Sequence, residues 1–529
     1  YEEAAEWFRK YLKLSSSDER AKNMLLACDS IHWFFQDTTA FTITQAEFNR
    51  VNENNFSPTF YKNGVVFLSD RPGAGKRKGK NPWTGMGYLD LYFTSRIDGS
   101  DKWLEPEILK GDLNGLYDEG PAVFNSDFSR AYFTRTDYSG KNLNKNSENE
   151  TIFKLYTARN DGDEWNVESE LPFNSQDYSV GHPALSPDES TLFFVSDMPW
   201  GYGGTDIYSV TFTDGKWSKP VNLGSRVNSA GNEMFPFFAS DSTLYFASDG
   251  HVGLGGLDIY ESHFNGDYWD EPENLQYPVN SAKDDFGFII DSLNIQGYFT
   301  SNRNSKSDRV FTFVKHPPII NSVFYVKGAD SDDAISNFWG RIVPPNSNET
   351  FKSDANGRLV MTLPEKQEVE LVVKAPGYFA VSRLRDTYGI RRSVTFTDTL
   401  KLEKIRMKKG LICRNILFEK KTTELTDEIK QGLDSLQKVL QLNPELQVEI
   451  GSHTDSRGSY SSNLRISRKR SDELALYLIE NGVQAHRIIS KGYGESRLLN
   501  HCRNGILCLE EDHMINNRVE LKVVDIIDK

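Results

Sequence analysis

Apolar residues recur at helical spacing at both ends of this chain and at strand spacing through most of its middle. Ala4, Ala5, Phe8, Tyr11 and Leu12 predict a first helix. After the polar break Ser15-Ser16-Ser17-Asp18, Ala21, Met24, Leu25 and Cys28 predict a second, with Asp18 placed to cap it. From about Phe41 to Lys315 the helical spacing gives way to short apolar runs, and these return in the same order five times.

Each unit opens on an apolar-Asn pair: Val51-Asn52, Leu113-Asn114, Phe173-Asn174, Val227-Asn228, Val279-Asn280. A strand start follows at Ser57-Pro58, Gly120-Pro121, His182-Pro183, Phe235-Pro236 and Phe286-Gly287. An apolar strand comes next, as in Val66-Phe67-Leu68 and Phe193-Phe194-Val195, and then a strand ending in an aromatic, as in Asp206-Ile207-Tyr208 and Asp258-Ile259-Tyr260. Trp103, Trp165, Trp217 and Trp269 mark a fourth strand in the first four units. Short strands repeating every ~50–65 residues predict a five-bladed β-propeller, because a four-stranded blade buries its faces only against neighbours in a closed ring. The fifth unit lacks a Trp strand, and Phe41–Phe48 is expected to supply that edge.

From about Pro317 to Ile405 alternation continues without helical runs. Turn signals at Ser353–Arg358 and Ala375–Tyr378 suit a small β-sandwich. From about Gly410 the pattern turns α/β. Ile416–Phe418 predicts a strand and Thr426–Leu442 a helix with Ile429, Leu433, Leu436 and Leu440 on one face. Leu446, Val448 and Ile450 alternate as a strand, Leu464–Glu480 forms a second helix stopped at Asn481-Gly482, and Arg518–Val524 is a last strand.

Composition narrows the function classes. A length of 529 residues implies several domains. The net charge of −14 argues against nucleic acid as a main partner, since phosphate binding needs a basic surface. No apolar run approaches the roughly 20 residues of a membrane helix. Tyr1 stands inside a helical pattern, so any signal peptide or lipid-attachment cysteine is expected upstream of it. The chain has four cysteines, too few for a disulfide framework. Cys502 and Cys508 lie close together near His501 and His513; a disulfide is favoured there over a zinc site, whose finger spacing is absent, and no metal or cofactor is expected.

Several signals carry less. Arg71–Lys80 is glycine-rich and basic, but its spacing is wrong for a phosphate loop, which leaves a solvated basic loop. Gly201–Asp206 and Gly253–Asp258 recur at one place in adjacent units and are turns, with the repeated Asp as a hydrogen-bonding residue. Asp284-Asp285 is taken as solvated charge rather than a calcium site. Neither a Gly-x-Ser-x-Gly elbow nor a His-Glu-x-x-His pair is present, and an enzyme is not expected.

The richest chemistry runs from Gly451-Ser452-His453-Thr454-Asp455-Ser456-Arg457-Gly458 through Asn463, Ile466, Ser467 and Arg470. This stretch resembles the peptidoglycan-binding signature of OmpA C-terminal-like domains. The resemblance implies that Asp455 and Arg470, fifteen residues apart, clamp the diaminopimelate of the stem peptide, with Thr454, Asn463 and Arg518 around them. Diaminopimelate carries an ammonium and a carboxylate on one carbon, so a carboxylate can take the first and a guanidinium fork the second. The bland alternative is an Asp455–Arg470 salt bridge with no ligand. Ile466 and Ser471 depart mildly from the pattern, and the late motif stands as Asn516-Asn517-Arg518-Val519-Glu520, with Asn517 where the family has an arginine.

The order of parts also resembles a family of Bacteroidota envelope proteins, PorE-like and associated with type nine secretion and gliding. These join a tetratricopeptide (TPR) segment, a WD40/PD40-like propeller, a carboxypeptidase-regulatory-like sandwich and an OmpA-like domain. The implied fold class is multidomain and mainly β, divided into 1–40, 41–316, 317–408 and 409–529. The implied function is a non-enzymatic anchor at the periplasmic side of the outer membrane, holding peptidoglycan and a PorP/SprF-like outer-membrane barrel or another secretion or gliding component. The alternative is a propeller receptor for a glycan or peptide, tethered to the wall.

Overall fold

The computed structural model describes residues 1–71, 80–81, 84–97, 99–100, 102–162, 164–343 and 350–527; most of the basic loop at 71–80 lies outside them. The chain forms two compact units, Tyr1–Pro317 and Pro318–Lys529.

The first unit begins with helices α1 (Glu2–Leu12) and α2 (Glu19–Asp29), and the Asp18 side chain caps α2 by accepting from the Ala21 amide. They pack on the β-structure that follows. Arg20 pairs with Asp249 at 2.6 Å, Asn23 donates to the Gly250 carbonyl, and Phe34 is buried with Ala27 and Leu254.

Five antiparallel sheets come next, four of them four-stranded and the third five-stranded. Their first strands are Asn55–Tyr61, Glu119–Phe124, Val180–Leu185, Glu233–Phe238 and Asp285–Ile290, and each touches the next, the fifth meeting the first. This is a closed ring of five blades. The fifth blade takes its outer strand from Phe41–Gln45, which pairs antiparallel with Arg309–Lys315, from Phe41 opposite Lys315 to Gln45 opposite Phe311. Closure thus joins the two ends of the repeat region and removes the exposed edge that an open fifth blade would leave.

The recurrent asparagines explain how the repeat is held. Asn280 accepts from the Ile259 amide and donates to the Ile259 carbonyl, both at 2.8 Å. Asn114, Asn174 and Asn228 do the same for Leu91, Leu155 and Ile207. Each side chain substitutes for a strand partner where the fourth strand has ended, satisfying backbone groups that would otherwise be buried unpaired. For the fifth blade the residue is Asn49, not Asn52: Asn49 serves both groups of Val310, whereas Asn52 is exposed with φ 64°. The apolar-Asn pair of that unit is therefore Phe48-Asn49. Val51-Asn52 matches the repeat in composition but lies in the turn, and only hydrogen bonding separates the two pairs.

Every innermost strand carries a bulge at the same place. In four units it falls on the residue pair the sequence marks as a strand start; in the fifth it is Gly287-Phe288, one residue after the marked Phe286-Gly287, because Phe286 still pairs with Thr300. Ser57, His182, Phe235 and Gly287 there adopt positive φ. The bulges turn side chains into the centre, where His182 stacks on Phe235 (4.2 Å) and Phe235 on Phe286 (4.7 Å), leaving only about 50 Å³ open. Burial pulls the His182 imidazole down to about 4.

The glycine-rich turns behave as expected: Asp206 accepts from the Tyr202 and Gly203 amides, and Asp258 from those of Leu254 and Gly255. Two other expectations are corrected. Asp285 is not solvated but buried, and pairs with Arg303 at 2.6 Å, while Asp284 is half-buried and accepts from the Leu257 amide and from Asn302. Arg71 is buried beside Glu53 at 3.0 Å rather than solvated. Both replace water by a fixed counter-charge or hydrogen-bond partner, which burial of a charge requires.

In the second unit, two four-stranded sheets face each other around Phe324, Leu359, Met361, Leu371 and Leu402. The α/β part follows. Its sheet runs Gly410–Ile412, Val519–Ile526, Leu446–His453, Ile488–Gly494, the last two parallel and joined through helix α4 (Tyr460–Glu480). Helix α3 (Asp427–Leu442) buries Ile429, Leu433, Leu436 and Leu440 in the same core. The strand expected at Ile416–Phe418 is not one. Ile416 and Phe418 are buried and Leu417 is exposed, so the alternation is real, but the sheet edge beside Val519–Ile526 is taken by Gly410–Ile412. A seven-residue helix, α5 (Glu510–Asn516), was not foreseen.

Candidate functional site

The strand Leu446–His453 delivers Thr454 and Asp455 to the end of the sheet, and the loop then turns into α4, which Ser459 caps through the Ser462 amide. Gly492 lets this helix lie close on the neighbouring strand, since a Cβ there would fall 2.2 Å from the Arg468 amide nitrogen. Ser467 closes the junction by accepting from the Gly494 amide at 2.8 Å. These contacts fix where the helix presents Asn463 and Arg470.

Thr454, Asp455, Asn463, Arg470 and Asn517 line one cleft, with Lys420, Lys421 and Arg457 around it. Arg470 is 1% exposed. Its guanidinium donates to the Thr422 carbonyl (2.7 Å), the Glu419 carbonyl (2.6 Å) and Asn517 Oδ1 (2.7 Å), and lies over the Phe418 ring. Three of its five N–H groups are thereby used, which leaves two for a ligand. Burial lowers its pKa to about 10, opposed by the charge of Asp455, so it stays cationic at neutral pH.

Asp455 does not pair with Arg470. Its Oδ2 takes Arg457 Nη2 at 2.6 Å and Nε at 3.1 Å, and its Oδ1 accepts the Arg457 amide at 2.8 Å. Arg457 in turn reaches Glu510 on α5, with Nη2 to Oε1 at 2.9 Å and Nη1 to Oε2 at 2.5 Å. The direct Asp–Arg salt bridge that would have made the pair purely structural is replaced by a different ion pair.

Asn463 donates to the Asp455 carbonyl (3.2 Å) and to Glu495 (2.5 Å), bracing the loop. The Thr454 hydroxyl is buried without a hydrogen-bond partner. Arg518 is not among the residues lining the cleft: it pairs with Glu520 at 2.7 Å and donates to the Arg497 carbonyl. Asn517, one position earlier, faces the cleft instead. The alternation of the last strand, which begins at Val519, could have signalled that two successive residues point different ways.

Cys502 and Cys508 form a disulfide, which leaves neither sulfur as a thiolate ligand beside His501. The bridge sits against the site loop, because Ser456 Oγ donates to the Cys502 carbonyl at 2.7 Å. His453 stacks on Tyr493 at 4.9 Å, and burial together with Arg518 pulls its pKa down to about 4.

With this geometry in place, the comparisons bear on one part of the chain. Residues 417–506 match the OmpA family model, so the C-terminal α/β part is OmpA-like. A peptidoglycan-associated lipoprotein of Buchnera aphidicola subsp. Baizongia pistaciae is 30% identical over 106 residues, 20% of this chain and 57% of that protein. Outer membrane porin F of Pseudomonas fluorescens is 36% identical over 80 residues, 15% of this chain and 23% of that one. The chain thus spans little more than half of the first relative and a quarter of the second. Among solved structures, the peptidoglycan-associated lipoprotein from Burkholderia pseudomallei is 20% identical over 20% of this chain and 86% of its own, with a TM-score of 0.19.

Proposed function

We propose that the chain is a non-enzymatic envelope anchor that holds peptidoglycan through the diaminopimelate of its stem peptide. The observation that carries this reading is one cleft that holds both a carboxylate, Asp455, and a guanidinium with spare donors, Arg470, on a domain of OmpA-like fold. The ammonium of the ligand goes to Asp455 and its carboxylate to Arg470, with the unpaired Thr454 hydroxyl as a further contact. Lys420 and Lys421 add positive charge that suits a peptide rich in carboxylates. The relatives described as peptidoglycan-associated lipoproteins support the same ligand and an outer-membrane or periplasmic location.

The four-part division at 40, 316 and 408, and a secretion or gliding partner such as a PorP/SprF-like barrel, belong to the same proposal and rest on the order of parts in the sequence. The ring of sheets and the helices in front of it then hold the protein partner. A single clamp is weak and reversible, so many copies or partners supply durable attachment. In the test, the full chain is sedimented with purified diaminopimelate-type sacculi. Wild type is expected to pellet and Asp455→Asn to stay in solution; equal pelleting of both contradicts the site.

The receptor alternative gains nothing from the central channel, which side chains fill. It draws instead on a groove of about 860 Å³ beside the third and fourth blades, lined by Phe193, Phe238, Tyr268, Trp269 and Arg226. A glycan and peptide array on the full chain tests it, with a hit lost in Trp269→Ala supporting the alternative.

A further inference from the structure

We infer that Arg457 is a built-in competitor for the ammonium of the ligand, and that Glu510 holds Arg457 aside when the ligand enters. This rests on the diaminopimelate reading above. In the cleft as it stands only about 20 Å³ is open, enough for one water-sized body and not for a zwitterionic head group. Something must move, and the side chains around the cleft differ sharply in their freedom to do so. Arg470 is held by three acceptors and Asn463 by two. Arg457 is 28% exposed and its second partner, Glu510, is 64% exposed.

The position that Arg457 occupies is the one the ammonium needs. Its guanidinium takes Asp455 Oδ2 with two N–H groups, and among the described residues no other donor contacts that oxygen. The Asp455 Oδ1 bond goes to the Arg457 backbone amide, so the loop keeps its turn when the side chain swings away. Glu510 already grips the far side of the guanidinium with both oxygens. When the ligand takes Asp455, Glu510 still neutralises Arg457; without Glu510 a bare cation would stand beside the incoming ammonium. The disulfide and the Ser456–Cys502 hydrogen bond hold the segment from Cys502 to Cys508, and with it the neighbouring Glu510, against the site loop. This segment therefore sets the affinity of the site by a competition inside the protein, which scales apparent affinity by the fraction of molecules in the open state.

The test is calorimetric titration of the full chain with the soluble stem tripeptide L-Ala–D-Glu–meso-diaminopimelate. Arg457→Ala and Arg457→Gln are expected to bind several-fold more tightly than wild type, and Glu510→Gln several-fold more weakly. The double variant Arg457→Ala/Glu510→Gln is expected to match Arg457→Ala, because Glu510 acts only through Arg457. Asp455→Asn is titrated alongside. Loss of binding there with unchanged or weaker binding in both Arg457 variants overturns this inference alone. Wild-type binding in Asp455→Asn overturns the ligand reading and this inference with it.

Discussion

Arg470 and Asp455 line one cleft without being partners: the guanidinium is held by the carbonyls of Thr422 and Glu419 and by Asn517, and the carboxylate by Arg457. The two residues therefore differ in what their removal does. Arg470→Ala leaves buried acceptors unpaired and is expected to cost about 3 kcal/mol of stability. Asp455→Asn keeps an oxygen for the Arg457 amide and leaves Arg457 paired with Glu510, so it is expected to cost less, about 1 kcal/mol. Urea unfolding of the two variants checks this, and it identifies Asp455→Asn as the cleaner probe of binding.

The asparagine register makes a sharp comparison. Asn49→Ala removes both bonds to Val310 and is expected to destabilise the first unit by about 2 kcal/mol, while Asn52→Ala should be within about 0.5 kcal/mol of wild type. Chemical denaturation followed by tryptophan fluorescence distinguishes them. Equal effects would contradict the assignment of Asn49 to the fifth blade.

Ring closure is open to a similar test. Phe41 is 8% exposed and meets Phe313 edge-on at 5.6 Å in the closing strand. Phe41→Ala is expected to cost about 3 kcal/mol, within the range for a buried aromatic, and to raise proteolysis at the junction of the first and fifth blades.

His182 makes the first unit sensitive to acid. Its folded pKa is about 4 against an ordinary 6.5, lowered by burial. Between those values the unfolded chain takes up a proton that the folded chain excludes, so stability falls as pH falls through that window. The full effect is up to about 3 kcal/mol. His182→Asn keeps a polar side chain that tolerates positive φ, and the difference in stability between pH 7 and pH 4.5 should be smaller in that variant than in wild type.

Much of this architecture is legible in the residue pattern because the repeat states it several times over. Four of five asparagines, four of the five strand starts that become bulges and the closing strand at Phe41 are visible in it. The fifth asparagine was missed where two candidates lie three residues apart and only hydrogen bonding separates them. In the C-terminal part, Ile416 and Phe418 alternate as a strand does, yet pattern alone does not say which segment wins the sheet edge. At the site, the spacing of Asp455 and Arg470 was plain. The partner of Asp455, Arg457, was not, because what turns Arg457 back on its neighbour includes Glu510, fifty-five residues beyond Asp455 in the chain.

The most direct measurement compares sacculi whose stem peptides carry diaminopimelate with sacculi carrying lysine at the same position. Lysine keeps the ammonium and lacks the carboxylate that Arg470 is placed to hold. The full chain is expected to pellet with the first and to remain in solution with the second. Equal sedimentation with both would contradict recognition of a zwitterion between Asp455 and Arg470.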